Sequence, residues 1–501
     1  MSKIIIDPVT RIEGHLKIEA VVETGRVKEA RSSGTLYRGL EQILCHRDPR
    51  DAARLTQRVC GVCPVAHSTA ASLALDDAFG ITGQIPSNGR ILRNLILASN
   101  FLQSHILHFY HLAALDWLDI TEIGKYQGED PELRSVKQFL DRGALEPFVP
   151  RYQYDWRLPV ELSQQFSVHY LQALRIRRKT QEMLSVFGGK MPHQIAIVPG
   201  GVTTPVLADK ITTFAWRLKE IRQFVEEAYL PDALMLARFY PDYLEIGSGC
   251  GKLLSYGAFA LENGEKFYQA GRTSRNMQWQ SFDADGLKEE IAYSWYDQNG
   301  PLPRKKEAYS WIKSPRYQEE VYEVGPLARI LVNYAAGSKA IKSQVDAICK
   351  EIGIHISSLF STLGRHIARA LEASLLAEAM TKWIEELEPE APACISYSLP
   401  GEAEGIGLTE APRGALCHRL TIESGKVKEY QLIVPTTWNA SPRDSKNQPG
   451  PIEQALEEVK IADEQNPVPI VRIVRSFDPC LACAVHFLTI RGKKVGEFFV
   501  S

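Results

Sequence analysis

No stretch of this 501-residue chain approaches the roughly 18 consecutive apolar residues that a bilayer crossing requires. The first residues, Met1-Ser2-Lys3-Ile4-Ile5-Ile6-Asp7, carry neither the apolar core of a signal peptide nor a twin-arginine pair, so the chain by itself is expected to stay in the cytoplasm. An excess of positive charge is also missing. The 58 Lys and Arg stand against 60 Asp and Glu, a formal net charge of −2, which excludes a nucleic-acid binder working by bulk electrostatics. With 45% hydrophobic and 24% charged residues, disorder as the dominant state is excluded too. The nine cysteines are odd in number and follow no secretory signal, which argues against a disulfide scaffold.

What is present reads as an α+β chain, with length for one large domain or a few subdomains. Near the start, Leu16 to Val22 alternates as a strand does, Thr24-Gly25 supplies a turn, and Val27 to Ala30 returns, predicting an edge hairpin. Far downstream, Leu420 to Glu423, a turn at Ser424-Gly425 and Lys426 to Glu429 repeat that pattern. Two copies so far apart exclude a solenoid and leave chance similarity open. Between them, apolar residues recur at helical spacing over Ile91 to Trp117, Pro159 to Ser185, Lys210 to Tyr229 and Ile354 to Leu387, predicting a central bundle of long helices. Pro199-Gly200-Gly201, Asn299-Gly300-Pro301, Glu388 to Gly414 and Pro442 to Pro451 read as loops. The expected division is an N-terminal α+β region over 1–90, a mainly helical bundle over 91–390, a C-terminal α+β region over 391–486, and a tail over 487–501.

Chemistry concentrates in two short segments. Arg58-Val59-Cys60-Gly61-Val62-Cys63-Pro64-Val65-Ala66-His67 and Asp478-Pro479-Cys480-Leu481-Ala482-Cys483-Ala484-Val485-His486 each hold a CxxC followed by a histidine. A turn brings residues i and i+3 to one side, so each pair can present two thiolates to one ion, and two pairs make a four-sulfur site. Soft thiolates select zinc, copper(I), nickel or iron over hard cations. Taken alone, two such pairs suggest a structural zinc site or, less readily, a thioredoxin-like redox motif. A zinc ribbon, however, sets its pairs about 15–20 residues apart. Here Cys480 follows Cys60 by 420 residues, and each pair has its own acid, arginine or histidine neighbour, which favours a buried reactive centre over a local staple. Cys45, Cys250, Cys349, Cys394 and Cys417 join no pair and receive no role.

These two segments closely resemble the signatures of the [NiFe] hydrogenase large subunit. The resemblance spans nearly the whole chain: Asp7-Pro8-Val9-Thr10-Arg11-Ile12-Glu13-Gly14-His15, Arg38-Gly39-Leu40-Glu41, Glu410-Ala411-Pro412-Arg413-Gly414 and Pro435-Thr436-Thr437-Trp438-Asn439-Ala440 all match family segments. Gln103 to Tyr110 is most similar to the sulfate-reducer enzymes, including the [NiFeSe] branch, in which selenocysteine stands where this chain has Cys480.

The resemblance implies the large-subunit fold and reversible oxidation of H2. Cys60 and Cys480 would be terminal nickel ligands, and Cys63 and Cys483 would bridge nickel to an iron carrying CO and cyanide. Glu13 would take a proton from Cys480, a role that suits a buried carboxyl with a raised pKa. Without the resemblance, Glu13 reads as a hairpin-edge carboxylate paired with Arg11. Arg413 would lie over the diatomic ligands, Asp478 would pair with Arg413 or Arg58, and His67 would hydrogen-bond a bridging thiolate. Arg413 alone reads as a surface arginine in a Gly/Pro loop. Glu41, the Leu432 carbonyl and His486 resemble the ligands of a magnesium or other hard-cation site. His105, His108 and His111 recur along a helix, and packing is the reading preferred for them over a metal face or proton path.

Four cysteines spent on one centre leave no set for iron–sulfur clusters, so the resemblance implies a separate cluster-bearing small subunit. That partner would bring the twin-arginine signal, exporting the pair to the periplasm or membrane surface; the alternative is a cytoplasmic enzyme. Nickel-insertion factors and a maturation endopeptidase complete the expected partners, the latter removing Phe487 to Ser501, which otherwise reads as a permanent hairpin. Rival readings are a hydrogen sensor, a quinone-site relative from respiratory complex I, which lacks these cysteines, and a zinc-stapled structural protein.

Overall fold

The computed structural model describes residues 1–143, 155–297 and 300–484. Long helices form its centre, and small antiparallel sheets lie around them. Ser87–Ile106 is buried on nearly every face and packs between Val160–Gly188 and Thr362–Glu385. A helix enclosed all round lies inside a core, and here one continuous apolar core runs through the bundle and reaches both cysteine segments. Among the described residues no helix is long and apolar enough to cross a membrane.

The helical expectations hold with three adjustments, the first being that the helix over Lys210 to Tyr229 passes from Ala208–Phe224 into a π turn at Val225–Tyr229. The helix expected from Ile354 begins instead at Thr362, because Ser361 takes an extended conformation and its hydroxyl accepts the Gly364 N–H at 3.0 Å. The one ending at Trp117 passes from α-helix to a wider π turn at Leu107–Ala113 and then a 3-10 turn at Ala114–Asp116.

Leu16–Glu23 is the central strand of a three-stranded meander with Ser2–Ile6 and Arg26–Gly34, not half of an edge hairpin. The second sheet, Ala403–Ala411, Gly414–Glu423 and Lys426–Ile433, has the same order. The likeness of the two hairpins extends to detail. Thr24-Gly25 and Ser424-Gly425 both have positive φ at each residue, the geometry a tight two-residue hairpin needs, and each hairpin carries a register shift just before the turn. Each hairpin is also bonded by the other end of the chain: Val27 exchanges main-chain bonds with Glu458 and Val459, and Val427 with His46 and Arg47. The two ends of the sequence are thus interleaved.

The strand Ala403–Ala411 lies where a loop was expected. Its buried positions Gly405 and Gly407 lie against the helix Pro64–Ala78, where a Cβ would collide with the main chain of Ala70 and Ala74, while Ile406 and Leu408 stand half-exposed. Close approach of main chain fixes one face of this strand, while Ile406 and Leu408 on the other face pack against a smaller apolar cluster, so the hydrophobic alternation that marks a strand is inverted.

Candidate metal centre

Cys60 leaves a 3-10 turn in extended conformation, and Cys63 immediately precedes the helix Pro64–Ala78, whose first residue is the proline suited to that position. The intervening loop is pinned by Asn100 Nδ2 and Gln103 Nε2, which both donate to the Val62 carbonyl, at 2.9 and 2.5 Å. Cys480 follows Asp478, whose φ is 54°, and Pro479, and it opens onto helical residues Leu481–Ala484, where the described residues end.

All four sulfurs are buried and lie within 4.8 Å of one another. Cys480 Sγ is 2.8 Å from Cys483 Sγ and 3.4 Å from Cys60 Sγ, and Cys63 Sγ is 3.6 Å from Cys483 Sγ. Four thiols this close titrate as one unit. Hydrogen bonds from its neighbours draw the Cys60 pKa well down, whereas burial pushes Cys480 and Cys483 well up. Deprotonating the whole set in so dry a place requires cationic compensation, which is what a bound soft metal provides.

Glu13 reaches the second pair along the main chain and through its side chain. Its N–H donates to the Pro479 carbonyl, its carbonyl accepts the Leu481 N–H at 2.8 Å, and the two segments meet as a parallel bridge. Its Oε2 accepts from Cys480 Sγ and from the Ala482 N–H, each at 3.1 Å. Burial and the charge of Cys60 raise the Glu13 pKa against the lowering effect of Cys480 and Arg413. Arg11 pairs with Asp116 instead, Nη2 to Oδ1 at 2.6 Å, which removes the hairpin-edge alternative.

Arg413 is buried, not a surface residue. Its Nε donates to the Asp478 carbonyl and its Nη2 to Asp478 Oδ1, both at 2.9 Å, so the acid pairs with Arg413 and not Arg58. Burial opposes its charge, but Asp478 and the thiolates override that and raise its pKa well above the ordinary value. Arg413 Nη1 and Asp478 Oδ2 are buried without a hydrogen-bond partner. Such an orphan donor beside the sulfurs fits a ligand carrying acceptor atoms. Arg329 holds the preceding carbonyls of Ala411 and Pro412 at 3.0 and 2.8 Å, itself clamped between Glu372 and Glu410.

The remaining expected residues are placed unevenly. His67 lies just beyond the first pair, where burial pushes its pKa down to about 4; its Nδ1 is 3.2 Å from His418 Nε2. Arg58 is exposed, and its main-chain carbonyl accepts from Arg38. Glu41 is fully buried; its Oε1 accepts the Leu432 N–H at 2.7 Å, and its Oε2 has no hydrogen bond, though Lys313 Nζ stands 3.5 Å away. Burial raises the Glu41 pKa to about 7. His486 and the tail lie outside the described residues. His105, His108 and His111 take separate partners, Glu372, the Arg475 carbonyl and the Tyr170 carbonyl, as packing implies.

Sequence reasoning assigned no role to Arg38, Asn100, Gln103, Thr436 or Gly14. Thr436 Oγ1 accepts the Cys480 N–H at 2.9 Å, and Gly14 lies so close to Leu481 and Ala482 that a Cβ there would stand 2.8 Å from both. All but Asn100 lie in the matched segments, but their role is to hold main chain, which no motif spells out.

Comparison with known proteins agrees with this centre. The nickel-dependent hydrogenase family model matches residues 38–486, and a HoxL-like model matches 3–33. The chain is 42% identical to the periplasmic [NiFeSe] hydrogenase large subunit of Desulfomicrobium baculatum, over 97% of this chain and 95% of that one. It is 34% identical to the quinone-reactive Ni/Fe-hydrogenase large chain of Wolinella succinogenes, over 100% and 98%. The crystal structure of the reduced, active Ni-Fe-Se hydrogenase from Desulfomicrobium baculatum superposes with a TM-score of 0.86 at 41% identity, covering 97% of this chain and 100% of that one. The four converging sulfurs and this full-length likeness place the chain among the large, catalytic subunits of the nickel-dependent hydrogenases.

Proposed function

We propose that this subunit catalyses the reversible heterolytic oxidation of H2 and passes the electrons to an iron–sulfur small subunit. The observation that carries the reading is the contact between Cys480 Sγ and Glu13 Oε2, at the mouth of a buried four-sulfur site. Cys60, Cys63, Cys480 and Cys483 would hold nickel and iron, with Cys60 and Cys480 on nickel alone and Cys63 and Cys483 between the metals. Loaded in this way, the centre supplies an open coordination position at which H2 is polarised.

The chain's own groups then have defined tasks. Cys480 Sγ holds the first proton, and Glu13, whose raised pKa keeps it ready to accept and release, takes it over 3.1 Å and passes it outward. Arg413 would offer its unpartnered Nη1 to acceptor atoms of CO or cyanide held on the iron, and Asp478 fixes the guanidinium plane. Glu41, with one buried oxygen outside any hydrogen bond, suits a magnesium or similar hard cation, for which Leu432 and His486 are the remaining proposed ligands. We infer a heterodimer exported by its partner's signal to a periplasmic or membrane-associated site, matured by nickel-insertion factors and by an endopeptidase acting after His486.

The test is metal analysis and infrared spectroscopy of the protein purified with its small subunit, for the parent and for Glu13→Gln. Nickel and iron near one each, with CO and cyanide bands in both proteins, are expected, and H2 oxidation should fall by about 10²–10⁴ in the variant alone. Zinc without those bands would return the site to a structural staple, and a fully active variant would remove Glu13 from the proton path.

A further inference from the structure

We propose that Arg38 is the positioning residue that joins the two cysteine pairs. Its guanidinium lies between them and, among the described residues, donates to main-chain carbonyls. Nη1 donates to Val59 O and, at 3.2 Å, to Ala482 O, while Nη2 donates to Arg58 O at 2.9 Å. The Val59 carbonyl belongs to the peptide that enters Cys60, and the Ala482 carbonyl to the peptide that enters Cys483. One cation thus fixes the peptide plane leading into a cysteine in each pair, across 444 residues of sequence.

A planar fork with five donors can serve several carbonyls at once, which a point charge on a flexible stem does less well. The other face of Ala482 is already held, its N–H on Glu13 Oε2, so the two bonds together fix the turn between Cys480 and Cys483. Asn100 and Gln103 hold the first pair independently of Arg38. Loss of the guanidinium should therefore loosen the second pair and spare the first.

The proposal rests on the four sulfurs acting as one metal site, but its test begins without metal. In the full-length chain produced without nickel, alkylation by iodoacetamide is followed at each cysteine by mass spectrometry. In Arg38→Met, which keeps an apolar stem, Cys480 and Cys483 should react about tenfold faster, the factor carried by a lost charge-assisted hydrogen bond, while Cys60 and Cys63 stay within about twofold. Arg38→Lys should fall between, and it carries the test alone if the Met variant does not fold. In the nickel-loaded complex, nickel loss to a chelator should follow the same order. Equal acceleration at all four cysteines would show general loosening and overturn the proposal, as would no change at any of them. If the alkylation pattern appears but the protein binds no nickel, the clamp stands and the metal reading fails.

Discussion

The two CxxC segments share one spacing and almost nothing else. The first begins a fifteen-residue helix and is braced by two amides of a neighbouring core helix. The second is held, among the described residues, by groups from distant segments: the Glu13 main chain and carboxylate, the Thr436 hydroxyl, and the guanidiniums of Arg38 and Arg413. A segment anchored in a long core helix opens only with the core, whereas one held by side chains from distant segments opens when those contacts do. The centre therefore has a fixed half and a docked half.

The largest test of this difference is Asp478→Ala. It removes the partner of a buried arginine at the entrance to the docked half, and leaving that charge unpaired should cost about 3–5 kcal/mol in denaturant unfolding. A loss under 1 kcal/mol would mean that the docked half does not depend on this pair.

A matched pair of glycine substitutions is sharper though smaller. Gly14 has φ +82° and lies against Leu481 and Ala482, so Gly14→Ala should destabilise by about 1–3 kcal/mol and loosen the second pair. Gly61, inside the first CxxC, has open space at its Cβ and an ordinary φ, and Gly61→Ala should stay within about 0.5 kcal/mol. Equal losses in thermal melts would erase the distinction.

A last test probes the joint between the chain ends without touching either pair. Glu453 ties the first sheet to the C-terminal segment, accepting from Ser32 N at 2.9 Å and Tyr309 Oη at 2.8 Å. Burial raises its pKa from 4.5 to about 7. The folded state then holds a proton that the unfolded state has lost between those values. Its contribution is complete below pH 4.5 and is lost as pH rises to about 7, with a limiting slope near 1.4 kcal/mol per pH unit. Glu453→Gln should flatten that slope in unfolding curves across this window; an unchanged slope would place the titration elsewhere.

How far the sequence was legible follows the same division. Local spacing gave the cysteine pairs, and alternation with turn residues gave both hairpins, because those signals are carried by neighbouring residues. The Ala403–Ala411 strand escaped because glycines occupy its buried positions, and the break at Ser361 escaped because a cap depends on one dihedral. The resemblance leaves Asp478 to pair with Arg413 or Arg58; it pairs with Arg413, and Arg58 faces solvent, since a residue near a paired cysteine has no obligation to turn inward. The groups that hold the second pair act on main chain from distant segments, and no periodicity reports them.

The parallel bridge between Glu13 and Cys480 also sets a clock. Their side chains meet across 467 residues, which a ribosome adding about 5–20 residues per second needs roughly 25–90 seconds to supply. For the last 420 of those residues Cys60 stands in a pair of thiols with half a site and no counterpart. Neither half alone offers four sulfurs, so the site forms only after Cys480 and Cys483 have been made.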